Sequence, residues 1–341
     1  MPVSEQEHIW RDLQAKKFAP TYFLHGEEDF YIDQICSFIE ENALAEHEKG
    51  FNQVIAYGKD TNMGQIVNLA RRYPMMADKQ VIIIKEFQEL SDLRSDEAHK
   101  ILQKYIENPL ESTILVLAHK HKLFDARKAL YKSLEKNAVV LKTKKLYDNE
   151  VPKWIEKYVQ SKHYQITPTA TMLLAEFVGG ELSRLSSEIE KIFLNLAPKS
   201  TIDEATIRKF VGQSKEYTVF DLQKALTEKD ILKANKIISF FARNPKDNPI
   251  IPIISLLFQF FVKLLLVHQS QDRNERNLAA LLAVNPYFVK DYLSASQKYN
   301  LSKTVQIIHY LRIADLQSKG VESGNMQEGD ILKELVFKIL H

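Results

Sequence analysis

The sequence predicts an α/β domain followed by helical domains. Between Thr21 and Lys142, short apolar runs alternate with stretches of helical periodicity, the pattern of a mainly parallel five-stranded sheet with helices laid across it. After Leu141 the basic Lys142, Lys144 and Lys145 form a linker, and the remaining pattern is helical with no further strand-like run. At 341 residues the chain exceeds one ordinary core and suits two or three domains.

The expected strands lie near Tyr22–His25, Gln53–Ala56, Val81–Ile84, Thr113–Leu117 and Val139–Leu141. The helices between them cover Phe30–Leu44, Asn62–Arg72, Ser95–Glu107 and Asp125–Lys136, with Asn62 and Asp125 as N-caps. The helical remainder divides in two. Asn149–Lys162, Thr167–Val178, Leu182–Leu194 and Ile202–Phe210 form a small bundle, broken by Gly179, Gly180 and Pro198. Phe220–Leu226, Ile231–Phe241, Pro249–His268, Leu278–Leu282, Pro286–Lys298, Ser302–Lys319 and Asp330–Leu340 form a larger one, with a hinge expected at Gly212–Tyr217.

Charge excludes a strong global field. Lysine plus arginine number 46 against 44 acids, so contact with nucleic acid or an anionic membrane would have to come from local patches or a larger assembly. The single Cys36 excludes an intramolecular disulfide framework and sits in an apolar helical pattern, which reads as a buried, inert thiol in a reducing compartment. Residues 1–17 are acidic and amphipathic, so no secretory signal is expected. Pro249–His268 is interrupted by Pro252, Gln259 and Lys263 and reads as a buried helix rather than a membrane span.

The segment Arg71–Lys85 joins two kinds of apolar residue. Val81–Ile84 is a β-branched run with no solvent face, as in a parallel strand covered on both sides. Met75 and Met76 follow Tyr73 and Pro74 on a connection that ought to be hydrophilic. Either they fold back as a lid, or they protrude as a wedge for a partner, because methionine suits adaptable binding surfaces and exposed apolar patches mark interaction sites.

Catalytic motifs are missing. The first strand leads to Gly26, Glu27, Glu28 and Asp29, where an α/β nucleotide-binding domain would place a glycine- and lysine-bearing phosphate loop at a helix N-terminus. Three acids there complement the helix end themselves and would repel a triphosphate. The sequence has no Gly-x-Gly-x-x-Gly, no His-Glu-x-x-His and no Gly-x-Ser-x-Gly. His119 and His121 alternate at a strand end but lack partners for tetrahedral metal coordination, and read as a solvated strand end. His119, Lys120, His121, Lys122, Arg127, Lys128, Lys132 and Lys136 make a modest basic cluster, interrupted by Asp125 and Glu135. It reads as a solvated face in preference to a phosphate-binding patch.

Several pieces in order resemble the delta-subunit family of the bacterial DNA polymerase III clamp loader. They are Thr-Tyr-Phe-Leu-His-Gly-Glu-Glu-Asp-Phe-Tyr-Ile-Asp from Thr21, Pro-Met-Met-Ala-Asp-Lys-Gln-Val from Pro74, and Gly-Gly-Glu-Leu-Ser-Arg-Leu-Ser-Ser-Glu-Ile-Glu-Lys from Gly179. Asn-Pro-Tyr-Phe-Val-Lys from Asn285 and Ala314-Asp315-Leu316 with Lys319 complete them. The resemblance implies an AAA+/RecA-like domain without a working phosphate loop over residues 1–143, a small helical domain over 144–213 and a helical collar over 214–341. It further implies binding to the beta sliding clamp through an apolar pair, which falls on Met75 and Met76 with Tyr73 and Pro74 beside it. Family members often carry Leu-Phe there, so Met-Met departs in shape though not in polarity. Gamma/tau and delta-prime subunits are the implied partners, with primed DNA met through the complex. A cytoplasmic location, no cofactor, no metal and no intrinsic catalysis are expected; a polymerase activity would belong to the holoenzyme. The competing readings are a stand-alone AAA+-type ATPase and a nucleic-acid-binding adaptor.

Overall fold

The computed structural model describes residues 3–147, 149–211, 217–321 and 326–341. They fall into two compact units, 1–150 with 180–184, and 151–179 with 185–341. The expected hinge at Gly212–Tyr217 lies, for residues 212–216, outside the described residues.

The first unit runs α1 (Val3–Gln14), β1 (Thr21–Gly26), α2 (Asp29–Asn42), α3 (Glu46–Asn52), β2 (Gln53–Tyr57), α4 (Met63–Ala70), β3 (Gln80–Lys85), α5 (Asp96–Glu107), β4 (Thr113–His119), α6 (Ala129–Asn137) and β5 (Val139–Thr143). The strands form one five-stranded sheet in the order β2-β3-β4-β1-β5, every pair parallel. The α/β layer read from the alternating pattern is therefore present, with all five strands where their apolar runs lie.

Burial explains the continuous runs. Strands β1, β3 and β4 are covered on both faces, so successive residues enter opposite cores. Phe23, Ile82, Ile84, Leu115 and Leu117 pack with Met63, Ile66, Leu102, Tyr105 and Leu130 on one face. Tyr22, Leu24, Val81, Ile83, Ile114 and Val116 pack with Ile9, Leu13, Ile32, Ile35 and Ile39 on the other. Each such side chain contributes roughly 1.5–3 kcal/mol. Cys36 belongs to the second core, and burial pushes its thiol up to about 12, which keeps it protonated and inert.

Three local expectations require correction. The fourth expected helix starts at Ala129 rather than Asp125. The Asp125 carboxylate instead accepts from the Arg127 backbone N–H at 3.0 Å and from its guanidinium at 3.0 Å, building a turn in place of a cap. Helix α3 falls where no helix is expected, because Glu-His-Glu-Lys-Gly-Phe-Asn has no apolar period; its start is held by Glu48, whose carboxylate accepts the Ala45 N–H at 2.9 Å.

The second unit contains α7 (Val151–Ser161), β6 (Gln165–Ile166), α8 (Pro168–Val178), α9 (Leu182–Phe193) from residue 185 onward, β7 (Thr201–Ile202), α10 (Glu204–Phe210), α11 (Val219–Glu228), α12 (Ile231–Arg243), α13 (Ile250–Gln269), α14 (Glu275–Leu282), α15 (Val289–Lys298), α16 (Leu301–Ser318) and α17 (Glu328–Leu340). The third correction is the parallel pair β6–β7, two residues each and too short to display an alternation. Helix α13 is long and apolar enough to cross a membrane by length and composition. One face of it, including Ile253, Leu257, Phe261 and Leu264, is buried in the core of this unit against Ile307, Leu311, Ile331 and Leu335.

Candidate functional site

The connection between α4 and β3 carries the apolar pair. Met75 is 62% exposed, Met76 fully exposed and Tyr73 77% exposed, while Pro74 is half-buried. The side chains of the loop turn outward because its backbone is held inward at several points. Asn52, the last residue of α3 and only 4% exposed, accepts the Met75 N–H on Oδ1 at 2.6 Å and donates through Nδ2 to the Met75 carbonyl at 2.9 Å. Its second amide proton reaches the Glu48 carbonyl at 3.2 Å.

The start and end of the connection are pinned as well. The buried Gln80 donates to the Arg72 carbonyl and to Thr113 Oγ1 at 2.8 Å, and Thr113 Oγ1 donates to the Ala70 carbonyl at 2.9 Å. Lys79 Nζ donates to the Glu111 carbonyl at 2.9 Å. Met76 sits at φ +52°, the left-handed region that costs a non-glycine residue about 1–2 kcal/mol. A strained apolar residue at full exposure is stable only because the surrounding bonds over-determine the turn.

The slot at the end of β1 has the opposite construction. Gly26 has φ +149°, and a Cβ there would stand 2.1 Å from the Thr143 carbonyl oxygen. The Glu27 N–H donates to that oxygen at 3.2 Å and the Glu28 N–H to Thr143 Oγ1 at 3.3 Å. Glu28 caps α2, its carboxylate accepting the Phe30 N–H at 3.2 Å; burial pushes its pKa up, while the cap bond acts in the other direction. Asp29 accepts the His121 backbone N–H at 3.1 Å and lies 2.7 Å from its ring Nδ1. Lys120 pairs with Asp33 at 2.5 Å and lies 3.6 Å from Glu86. The helix end that would bind a phosphate is thus occupied by the chain's own carboxylate, and the adjoining cations by others.

His119 and His121 do not converge. His119 is buried, its ring 5.3 Å from Phe124 and 6.3 Å from both Phe23 and Phe87, whereas His121 faces solvent. The expectation of a solvated strand end therefore fails for His119, because β4 continues to residue 119 inside the covered sheet. Its neighbour in register is His25 on β1. Both ring nitrogens of His119 and the Nε2 of His25 lack a hydrogen-bond partner among the described residues. Burial lowers the pKa of His25 to about 4 and that of His119 to about 3, so both rings are neutral. No group of three or more His, Cys, Asp or Glu suited to a metal ion occurs among the described residues.

The basic cluster is partly neutralised: Arg127 pairs with Asp125 at 3.0 Å and Lys128 with Asp96 at 3.5 Å. Of the residues that shape the loop, Asn52, Gln80 and Thr113 carry no sequence signal as such. A buried polar residue flanking an apolar connection is visible only once the connection's path is known.

Comparison with known proteins bears on the family and the fold. A model of the family described as DNA polymerase III, delta subunit, matches residues 22–144, and one described as the C-terminal domain of the DNA polymerase III delta subunit matches 216–339. A curated relative, DNA polymerase III subunit delta of Bacillus subtilis (strain 168), is 23% identical over 316 residues, covering 91% of each chain. The solved structure of a Bacillus subtilis DNA clamp loader delta protein superposes with a TM-score of 0.55 at 22% identity, over 98% of this chain and 99% of that one, a likeness of fold. With both family models matched in order across most of its length, the chain belongs to the DNA polymerase III delta-subunit family.

Proposed function

We propose that this chain is the clamp-opening, non-catalytic subunit of a replicative clamp loader. The observation that carries the reading is an exposed Met75–Met76 pair on a loop whose backbone is tied down. Tyr73, Pro74, Met75 and Met76 form the contact with the beta sliding clamp. Burying each methionine contributes roughly 1.5–3 kcal/mol. Binding alone opens nothing: the pair shifts the ring toward its open form only by fitting that form better than the closed one.

The filled slot at Gly26, Glu27, Glu28 and Asp29 supports a subunit that takes no nucleotide and needs no cofactor. Nucleotide control then reaches it through gamma/tau and delta-prime subunits held at a collar over residues 214–341, with 144–213 as a small helical domain between. Primed DNA is met through the complex, in the cytoplasm. Surface plasmon resonance of the full chain against beta clamp tests the contact: Met75→Ala/Met76→Ala is expected to weaken binding about a hundredfold or more. Wild-type affinity in that variant would remove the assignment, and micromolar ATP binding by the isolated chain would restore the ATPase reading.

A further inference from the structure

Asn52 lies outside the proposed contact yet is hydrogen-bonded to its backbone. Its carboxamide meets both backbone polar groups of one residue edge to edge, accepting from the Met75 N–H at 2.6 Å and donating to the Met75 carbonyl at 2.9 Å, while the remaining proton satisfies the Glu48 carbonyl at 3.2 Å. An amide on a one-methylene arm is the side chain that can do this, because it offers an acceptor and two donors in one plane. Nothing else about the position requires asparagine; it is the buried end of a seven-residue helix.

We infer that Asn52 is a latch that holds the Met75–Met76 loop in its presented form before any partner arrives. This rests on the reading of the pair as a clamp contact. With the latch closed, the outward turn at Met76 is kept despite its left-handed backbone. With it open, the two methionines are released to fold onto neighbouring apolar surface, and the competent fraction of the protein falls. A partner that requires the presented form then binds more weakly in proportion to that fraction. Asn52 is thus a positioning residue: it contributes to affinity without touching the partner, by removing the ordering cost that a flexible loop would incur on binding.

The test uses the full chain and two variants. Asn52→Ala removes all three bonds; Asn52→Asp keeps the volume and the acceptor, loses both donors, and serves if the alanine form does not fold. Amide hydrogen exchange of the unbound chain is expected to show faster exchange over residues 73–79, with the β3 and β4 amides still protected. Clamp affinity is expected to fall about tenfold. A purely structural role would lower protection across the sheet together, and that result overturns the latch. So does faster loop exchange with unchanged clamp affinity, or unchanged exchange in both variants. Met75→Ala/Met76→Ala runs beside them. If it binds clamp normally the contact itself is misassigned, whereas the exchange result still decides whether Asn52 holds the loop.

Discussion

Two loops of the α/β unit use their atoms in opposite ways. In the slot at Gly26–Asp29 the polar side chains are consumed internally: Glu28 caps its own helix and Asp29 takes up His121. In the loop at Tyr73–Met76 it is the backbone that is consumed, by Asn52, and the side chains are left outside. A loop whose side chains are satisfied at home has nothing to offer a ligand, and a loop whose backbone is satisfied at home offers apolar side chains at little ordering cost. On the proposed reading, the difference is what would let an α/β layer with a filled slot present a protein contact in place of a phosphate site.

The comparison breaks first at the methionines. Their double alanine replacement is expected to cost about 3–6 kcal/mol of clamp affinity, taking roughly 1.5–3 kcal/mol per side chain, while the thermal midpoint stays near wild type since neither is buried. An equal loss of stability would mean that the pair packs inward in solution.

Next in size is Gly26→Ala. The added methyl meets the Thr143 carbonyl oxygen at 2.1 Å on a backbone at φ +149°, so urea unfolding should show a loss of about 3 kcal/mol. A neutral outcome would imply that the slot has room to spare.

Acid should reveal the buried histidines beneath the slot. Their folded-state pKa values, about 4 and about 3, lie below the ordinary 6.5, so the unfolded chain binds more protons than the folded one in that window. The stability due to the neutral pair is complete above about pH 6.5 and is lost as pH falls toward 4, by at most about 1.4 kcal/mol per pH unit for each ring. His119→Phe suits the aromatic surroundings and should flatten that slope, measured by denaturation at pH 7, 6 and 5.

The smallest effect is expected from Glu27→Ala/Asp29→Asn. The exposed pairing of Asp29 with His121 is worth no more than about 1 kcal/mol, and Glu28 with Thr143 still fills the slot. A fluorescent ATP analogue should therefore remain unbound. Binding would show that charge, and not occupancy, shuts the site.

Much of this was legible in the residues. Val81–Ile84 could only be a two-sided strand, the capping asparagine before Met63 marked a helix start, and three acids after Gly26 announced a slot unsuited to phosphate. Asp125 misled because a carboxylate ahead of a helical period caps or turns equally well, and Arg127 at two residues' distance decided for the turn. His119 misled because a polar residue at a strand end looks solvated until the strand proves longer than its apolar run.

Periodicity, β-branching and turn residues act over a few positions, and they determine the elements, the strand-rich and helical halves and the odd placement of Met75 and Met76. The outward aim of that pair is a different matter. It depends on Asn52, 23 residues away, reaching the Met75 peptide, and on Gln80 joining Thr113, 33 residues away, to the end of α4. Hydrogen bonds of that sequence separation exist only after the parallel strands have set β2, β3 and β4 side by side, so no local pattern encodes them.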